Sequence, residues 1–87
     1  MNALDISEDI KNNILMKIDN TAHIDVTDET YKHQKHKGFQ QDKYHFLLEI
    51  KSDKLSSMTR IKSHKEIFSS VSHLMPSIHA LSIKIVD

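Results

Sequence analysis

The sequence predicts an α+β domain built from one three-stranded sheet with helices packed on one face. Three observations carry that prediction. Apolar residues recur at a helical period in some segments and alternate at a period of two in others, in the order α-β-β-α-(α)-β. The 87 residues leave room for one core, and a chain this short buries only about 60–65% of its unfolded surface. Hydrophobic residues make up 38% and charged residues 28%, the balance of a folded soluble domain rather than a disordered chain. No internal repeat or low-complexity tract divides the chain, so residues 1–87 read as a single domain.

Asp5 to Ile18 reads as the first helix. Asp5 with Glu8 forms a capping box, or Ser7 caps instead, and Ile6, Ile10, Ile14, Leu15 and Ile18 fall on one face. Asp19 and Asn20 end it. His23 to Thr27 alternates, with Ile24 and Val26 on one side, and reads as a short strand. Asp28 to Asp42 is polar, holds the only glycine (Gly38), and is long enough to suggest a functional loop. Tyr44 to Lys51 is the clearest strand, with Tyr44, Phe46, Leu48 and Ile50 alternating against His45, Leu47, Glu49 and Lys51. After a polar junction, a long helix is expected from about Met58 to Met75. Its apolar stripe is Ile61, Phe68, Val71 and Met75, widened by Ile67 and Leu74, and it includes His64. The serines between Ser69 and Ser72 suggest a break or a second short helix, and Pro76 is expected to stop the helix. Ile78 to Val86 reads as the last strand, with His79 in the parity of Leu81, Ile83 and Ile85.

Composition narrows the chemistry. Twelve basic and twelve acidic residues cancel, so no global field draws the chain to nucleic acid or membrane. There is no cysteine, hence no thiolate nucleophile and no sulfur-based zinc site. A phosphate-cradling loop needs several glycines, paired carboxylates are absent, and no serine sits in a nucleophile elbow. The chain therefore reads as a binding module rather than an enzyme. Its start, MNALDISEDI, is acidic without the apolar run of a secretory signal, and no apolar stretch approaches the roughly 18 residues of a membrane span. Cytosol is the expected compartment.

Histidine is the anomaly: there are seven, at 23, 33, 36, 45, 64, 73 and 79. Imidazole both titrates near neutral pH and ligates metals without a thiol. His33 and His36, at H-x-x-H spacing, belong to a solvated basic loop on the bland reading and to a metal-binding turn on the other. His64 on an apolar stripe reads as a satisfied core residue. His45, in the opposite parity to Phe46, reads as facing solvent or a helix end, and His23 and His73 as surface residues. His79 stands at a strand entrance after Pro76, where edge packing and ligation are both open. Arg60, Lys62, His64 and Lys65 form a basic run, a solvated face or a phosphate-covering one.

Several of these segments together resemble a known family. Ile78-His79-Ala80-Leu81, after a helix carrying Lys62-Ser63-His64-Lys65, resembles the [V/I]-H-A-L strand and preceding R-H-R helix of the BolA-like proteins. Asp28-Glu29-Thr30-Tyr31-Lys32-His33 is similar to that family's D-E-S-x-x-H loop entry. Lys43-Tyr44-His45-Phe46 is similar to its E-[T/S]-H-F strand, and Lys51-Ser52-Asp53 to its strand exit. The four motifs follow in the family's order over almost the whole chain. The departures are Leu55 and Ser57 in place of the F-x-G pair, Ser63 and Lys65 in place of the helix arginines, and no T-P-rich tail after Val86 and Asp87.

The resemblance implies an αββααβ fold, similar to class II KH domains but without their G-x-x-G nucleic-acid loop. It further implies a heterodimer with a monothiol glutaredoxin in iron–sulfur cluster trafficking. In that arrangement a [2Fe–2S] cluster bridges the partners, with a glutaredoxin cysteine and glutathione on one iron. His79 and a loop residue hold the other. His33 puts the chain in the bacterial-type subgroup with a histidine in the loop, and His36 is the alternative loop ligand. Imidazole in place of thiolate leaves such a cluster less negative and raises its potential; because imidazole binds metal in its neutral form, transfer would depend on pH. A DNA-binding regulator of stress response or morphology, using Arg60, Lys62, His64 and Lys65, is the alternative. A passive partner that occupies glutaredoxin without ligating its cluster is the third reading, and a homodimer of the free chain is left open.

Overall fold

The computed structural model describes residues 2–32 and 44–86 of the chain. Helix α1 (Ala3–Lys17) begins before the expected cap. Asn2 is in an extended conformation and its side chain accepts a hydrogen bond from the Asp5 amide at 2.9 Å, so neither Asp5 nor Ser7 is the cap. The 3.6-residue period then places Ile6, Ile10 and Ile14 wholly out of solvent, each burial stabilising by about 1.5–3 kcal/mol.

Strands β1 (His23–Asp28), β2 (Tyr44–Lys51) and β3 (Ile78–Val86) form one sheet in the order β1-β2-β3. β1 runs antiparallel to β2, and β3 runs parallel to it. Phe46, Leu48 and Ile50 of β2 are buried and lie in register with Leu81, Ile83 and Ile85 of β3, so one face of the sheet carries the core. Asp25, Thr27, Ser82 and Lys84, of the opposite parity, are exposed. The α+β expectation, with helices covering one face of a three-stranded sheet, is met.

The parallel β2–β3 connection must cross over the sheet, and it does so in three pieces. Helix α2 (Asp53–Ser56) is a single turn where a polar junction was expected. Ser52 makes it possible: its Oγ accepts from the Leu55 amide at 3.2 Å, and Leu55 plugs the core with 1% exposure. Helix α3 (Arg60–Ser70) starts at Thr59, whose Oγ1 accepts from the Lys62 amide at 3.1 Å. The serine run does end it, and a 3₁₀ stretch follows over Ser72–Ser77. Pro76 lies inside that stretch rather than terminating a helix, because the 3₁₀ segment is already leading the chain into β3.

The expected stripe holds at Ile67, Val71 and Leu74, which are buried, but not at Ile61 and Phe68. Ser63, Ile67 and Ser70 face the core, whereas Ile61 is 78% exposed and Phe68 37%. The two serines fit because each hydroxyl bonds within the helix: Ser63 Oγ to the Arg60 carbonyl at 3.0 Å and Ser70 Oγ to the Ile67 carbonyl at 2.7 Å. Ile61 and Phe68, on the other side of the helix, turn outward.

Candidate metal-ligating site at the entrance of the last strand

His79 does not follow the parity that the sequence suggests. Tyr44 pairs with Ile78 and His45 pairs with Ala80, so one residue of β3, His79, is extra between two successive pairs. The bulge gives the core position to Ile78, which is 4% exposed, and turns His79 to solvent. A bulge re-aims a side chain and is uncommon in a parallel pair. Its result here is a ring pair: the centroids of His45 and His79 are 4.8 Å apart, with their planes inclined at 43°.

His45 reaches this place because its backbone is tied on both sides. Its amide donates to Thr30 Oγ1 at 3.1 Å, and its carbonyl accepts from the Glu29 amide at 2.7 Å. Thr30 is held in turn by Asp28, whose carboxylate accepts from the Thr30 amide at 2.9 Å and from the Thr30 hydroxyl. The Asp28–Thr30 turn at the end of β1 thus fixes the first part of the resembling loop motif and anchors His45 through it. A single 3₁₀ turn, Thr30–Lys32, follows.

The other residues singled out in the sequence divide as follows. His33 and His36 lie outside the described residues. His64 is half-buried rather than fully enclosed, and it borders an open groove of about 420 Å³ with Leu55, Met58, Arg60, Ile83 and Ile85. Arg60, His64 and Lys65 also surround a depression with Ile61 and Phe68. Lys62 is exposed on α3 but does not line it. His23 and His73 are exposed, as expected. The sequence reading missed the partnership of His45 with His79. Parity could place His45 off the core face, but only the bulge brings His79 to it.

Among the described residues, no group of three or more histidine or acidic side chains gathers in metal-binding geometry. Among the described residues, two imidazoles meet here, one of them on an exposed strand entrance. Two neutral nitrogen donors suit a borderline metal, and they supply half of a four-coordinate site at most.

The chain's matches agree with this architecture. The family model described as BolA-like protein matches residues 15–86. No curated protein matches the chain. Among solved structures, the BolA domain of SufE1 from Arabidopsis thaliana is 27% identical, with a TM-score of 0.71 over 98% of this chain and 92% of that one. BolA1 from Arabidopsis thaliana is 20% identical, with a TM-score of 0.71 over 92% of this chain and 88% of that one. A bol-like protein from Babesia bovis is 16% identical, with a TM-score of 0.69 over 92% and 81%. The last two establish the fold alone. With the family model spanning most of the domain and the sheet order, bulge and strand motifs in place beneath it, the chain belongs to the BolA-like protein family.

Proposed function

We propose that this protein is the partner of a monothiol glutaredoxin in iron–sulfur cluster trafficking, and that it contributes imidazole ligands to a [2Fe–2S] cluster shared between the two. The observation that carries the reading is His79, turned outward by the β3 bulge and lying 4.8 Å, ring to ring, from His45. An exposed imidazole at a strand entrance is reachable by a cluster delivered from outside, and it needs no buried cage. A glutaredoxin cysteine and glutathione hold one iron, and His79 binds the other. The remaining position on that second iron falls to another histidine of this chain, for which the family resemblance offers His33 or His36. The protein acts as a binding partner in the cytosol, not as a catalyst, and is free of cluster when alone.

The outward face of α3 supports a protein partner over DNA. Arg60, His64 and Lys65 surround Ile61 and Phe68, and exposed apolar side chains inside a basic rim favour a protein surface. A phosphate backbone would leave those apolar groups without contact.

The test is to mix the chain with cluster-loaded monothiol glutaredoxin and follow visible circular dichroism. The wild-type chain changes the spectrum, and His79→Ala, with its far-ultraviolet spectrum intact, does not. A spectral change that persists in His79→Ala ends the ligand role. A complex that forms equally with apo and loaded glutaredoxin, without spectral change, makes the protein a passive partner.

A further inference from the structure

We propose that the outer edge of β3 at Ile83, Lys84 and Ile85 is a docking site for an extended segment of another protein, in which apolar and acidic residues alternate and which joins the sheet as an added strand. The site does not depend on the cluster-partner reading. Ile83 pairs with Leu48, three positions or about 10 Å along the strand from the pair of His45 with Ala80.

Cover over the sheet runs out at β3. Phe46, Leu48 and Ile50 are enclosed, whereas Leu81, Ile83 and Ile85, their register partners on the same face, are only half-buried. The open groove of about 420 Å³ lies along that margin, lined by Ile83 and Ile85 from β3 and by Leu55 and Met58 from the crossover. Among the described residues β3 is hydrogen-bonded to β2 alone. Its outer side therefore offers backbone N–H and C=O groups to a chain laid beside it. A strand added there alternates at the same period of two, so every second side chain enters the groove beside Ile83 and Ile85. The other edge strand, β1, is not equivalent. Its Ile24 is buried, and the depression beside it is lined by Glu8, Lys11 and Asp25, charges of both signs.

Charge selects the occupant. Arg60, His64 and Lys84 line the β3 groove, and no acidic side chain among the described residues does. Glu49 neighbours Lys84 in register, but on the β2 side, away from the open edge. Acidic residues at alternate positions of the added strand thus meet cations, as opposite charges in cross-strand pairs do. A second copy of this chain, paired β3 to β3, would set the same cations against one another. A single nucleic-acid strand would find no phenylalanine, tyrosine or tryptophan in the groove on which to stack a base.

The probe is an end-capped, fluorescein-labelled peptide of three Val-Glu repeats, titrated with the full chain by fluorescence anisotropy and located by amide chemical shifts on isotope-labelled protein. Saturable binding is expected, with the shifts concentrated at Met58 and at Ile83, Lys84 and Ile85. Lysines in place of the glutamates are expected to abolish it. N-methylation of one alternate set of peptide nitrogens is expected to abolish binding and that of the other set to be tolerated, because successive amides of a strand point to opposite sides. Arg60→Glu/Lys84→Glu, at two exposed positions, is expected to weaken binding roughly tenfold or more with the far-ultraviolet spectrum unchanged. No saturable binding, equal binding of the lysine peptide, tolerance of both methylated sets, or shifts away from the groove overturns the proposal. So does a single-stranded oligonucleotide that moves the same amides and binds more tightly than the peptide, or a homodimer joined through Ile83–Ile85 that the peptide fails to dissociate.

Discussion

Asp19 ties together two junctions that lie 33 positions apart in the chain. Its carboxylate accepts from Ser52 Oγ at 2.6 Å, and from the Thr21 amide at 2.9 Å and the Thr21 hydroxyl at 2.6 Å. Ser52 passes the restraint on to the amide of Leu55, and Lys54 Nζ donates to the Ile18 carbonyl at 2.9 Å. The hydroxyl of Ser52, together with those Thr21 bonds, lowers the Asp19 pKa from 3.8 to about 2, and Lys54 adds a smaller push in the same direction. A carboxyl whose folded pKa is depressed stabilises the fold fully above its unfolded pKa, and that contribution disappears as pH falls through the folded value. Asp19→Asn is therefore expected to lower the urea midpoint at neutral pH, because an amide nitrogen cannot accept from Ser52. The difference between wild type and variant should shrink between about pH 4 and pH 2. Equal midpoints at pH 7, or a gap that stays constant down to pH 2, would remove this role. None of this was legible in the sequence, where Asp19 appeared only as a helix-ending residue. Thr21 is a local partner, but Ser52 comes from the far end of β2, and local pattern carries no information about it. The same limit applied to His45, whose significance depends on a register shift in another strand.

The β2 and β3 boundaries, from Tyr44 to Lys51 and from Ile78 to Val86, were legible because alternation over most of each strand favours a half-buried strand, although it did not show the bulge at His79. The α3 stripe was legible in part: Ile67, Val71 and Leu74 are buried as expected, whereas Ile61 and Phe68 are not. Counting apolar residues favoured Ile61 and Phe68, but the helix packs through Ser63, Ile67 and Ser70. Serine reads as polar on a hydropathy scale, yet inside a helix its hydroxyl is satisfied by a carbonyl of the preceding turn, and its small volume permits close approach. One pair of substitutions separates the two stripes. Ile67→Ala, at a position with no exposure, is expected to cost about 2–5 kcal/mol in urea denaturation. Ile61→Ala, at 78% exposure, is expected to stay within about 0.5 kcal/mol of wild type. A large loss at Ile61 would restore its place in the stripe suggested by periodicity.

For the molecule as a whole, the distribution of charge matters more than its sum. The net charge is zero, and only one arginine stands in the basic run of α3. Any affinity for DNA must then come from the local group of Arg60, Lys62, His64 and Lys65, of which Arg60, His64 and Lys65 share a depression with Ile61 and Phe68. Each phosphate neutralised by a cation contributes roughly −0.9 to the slope of log affinity against log salt. Three permanent cations, assisted at most by one imidazole, can therefore support only a shallow slope. They are also too few to hold a complex against physiological salt without base contacts. The expected outcome of titrating labelled duplexes is binding at low salt alone, equal for unrelated sequences, and lost near physiological salt. The triple variant Arg60→Ala/Lys62→Ala/Lys65→Ala should abolish what binding there is while leaving the spectral change with loaded glutaredoxin dependent on His79. A sequence-selective complex that survives physiological salt would instead make α3 a nucleic-acid surface, and the regulator would then stand ahead of the cluster partner.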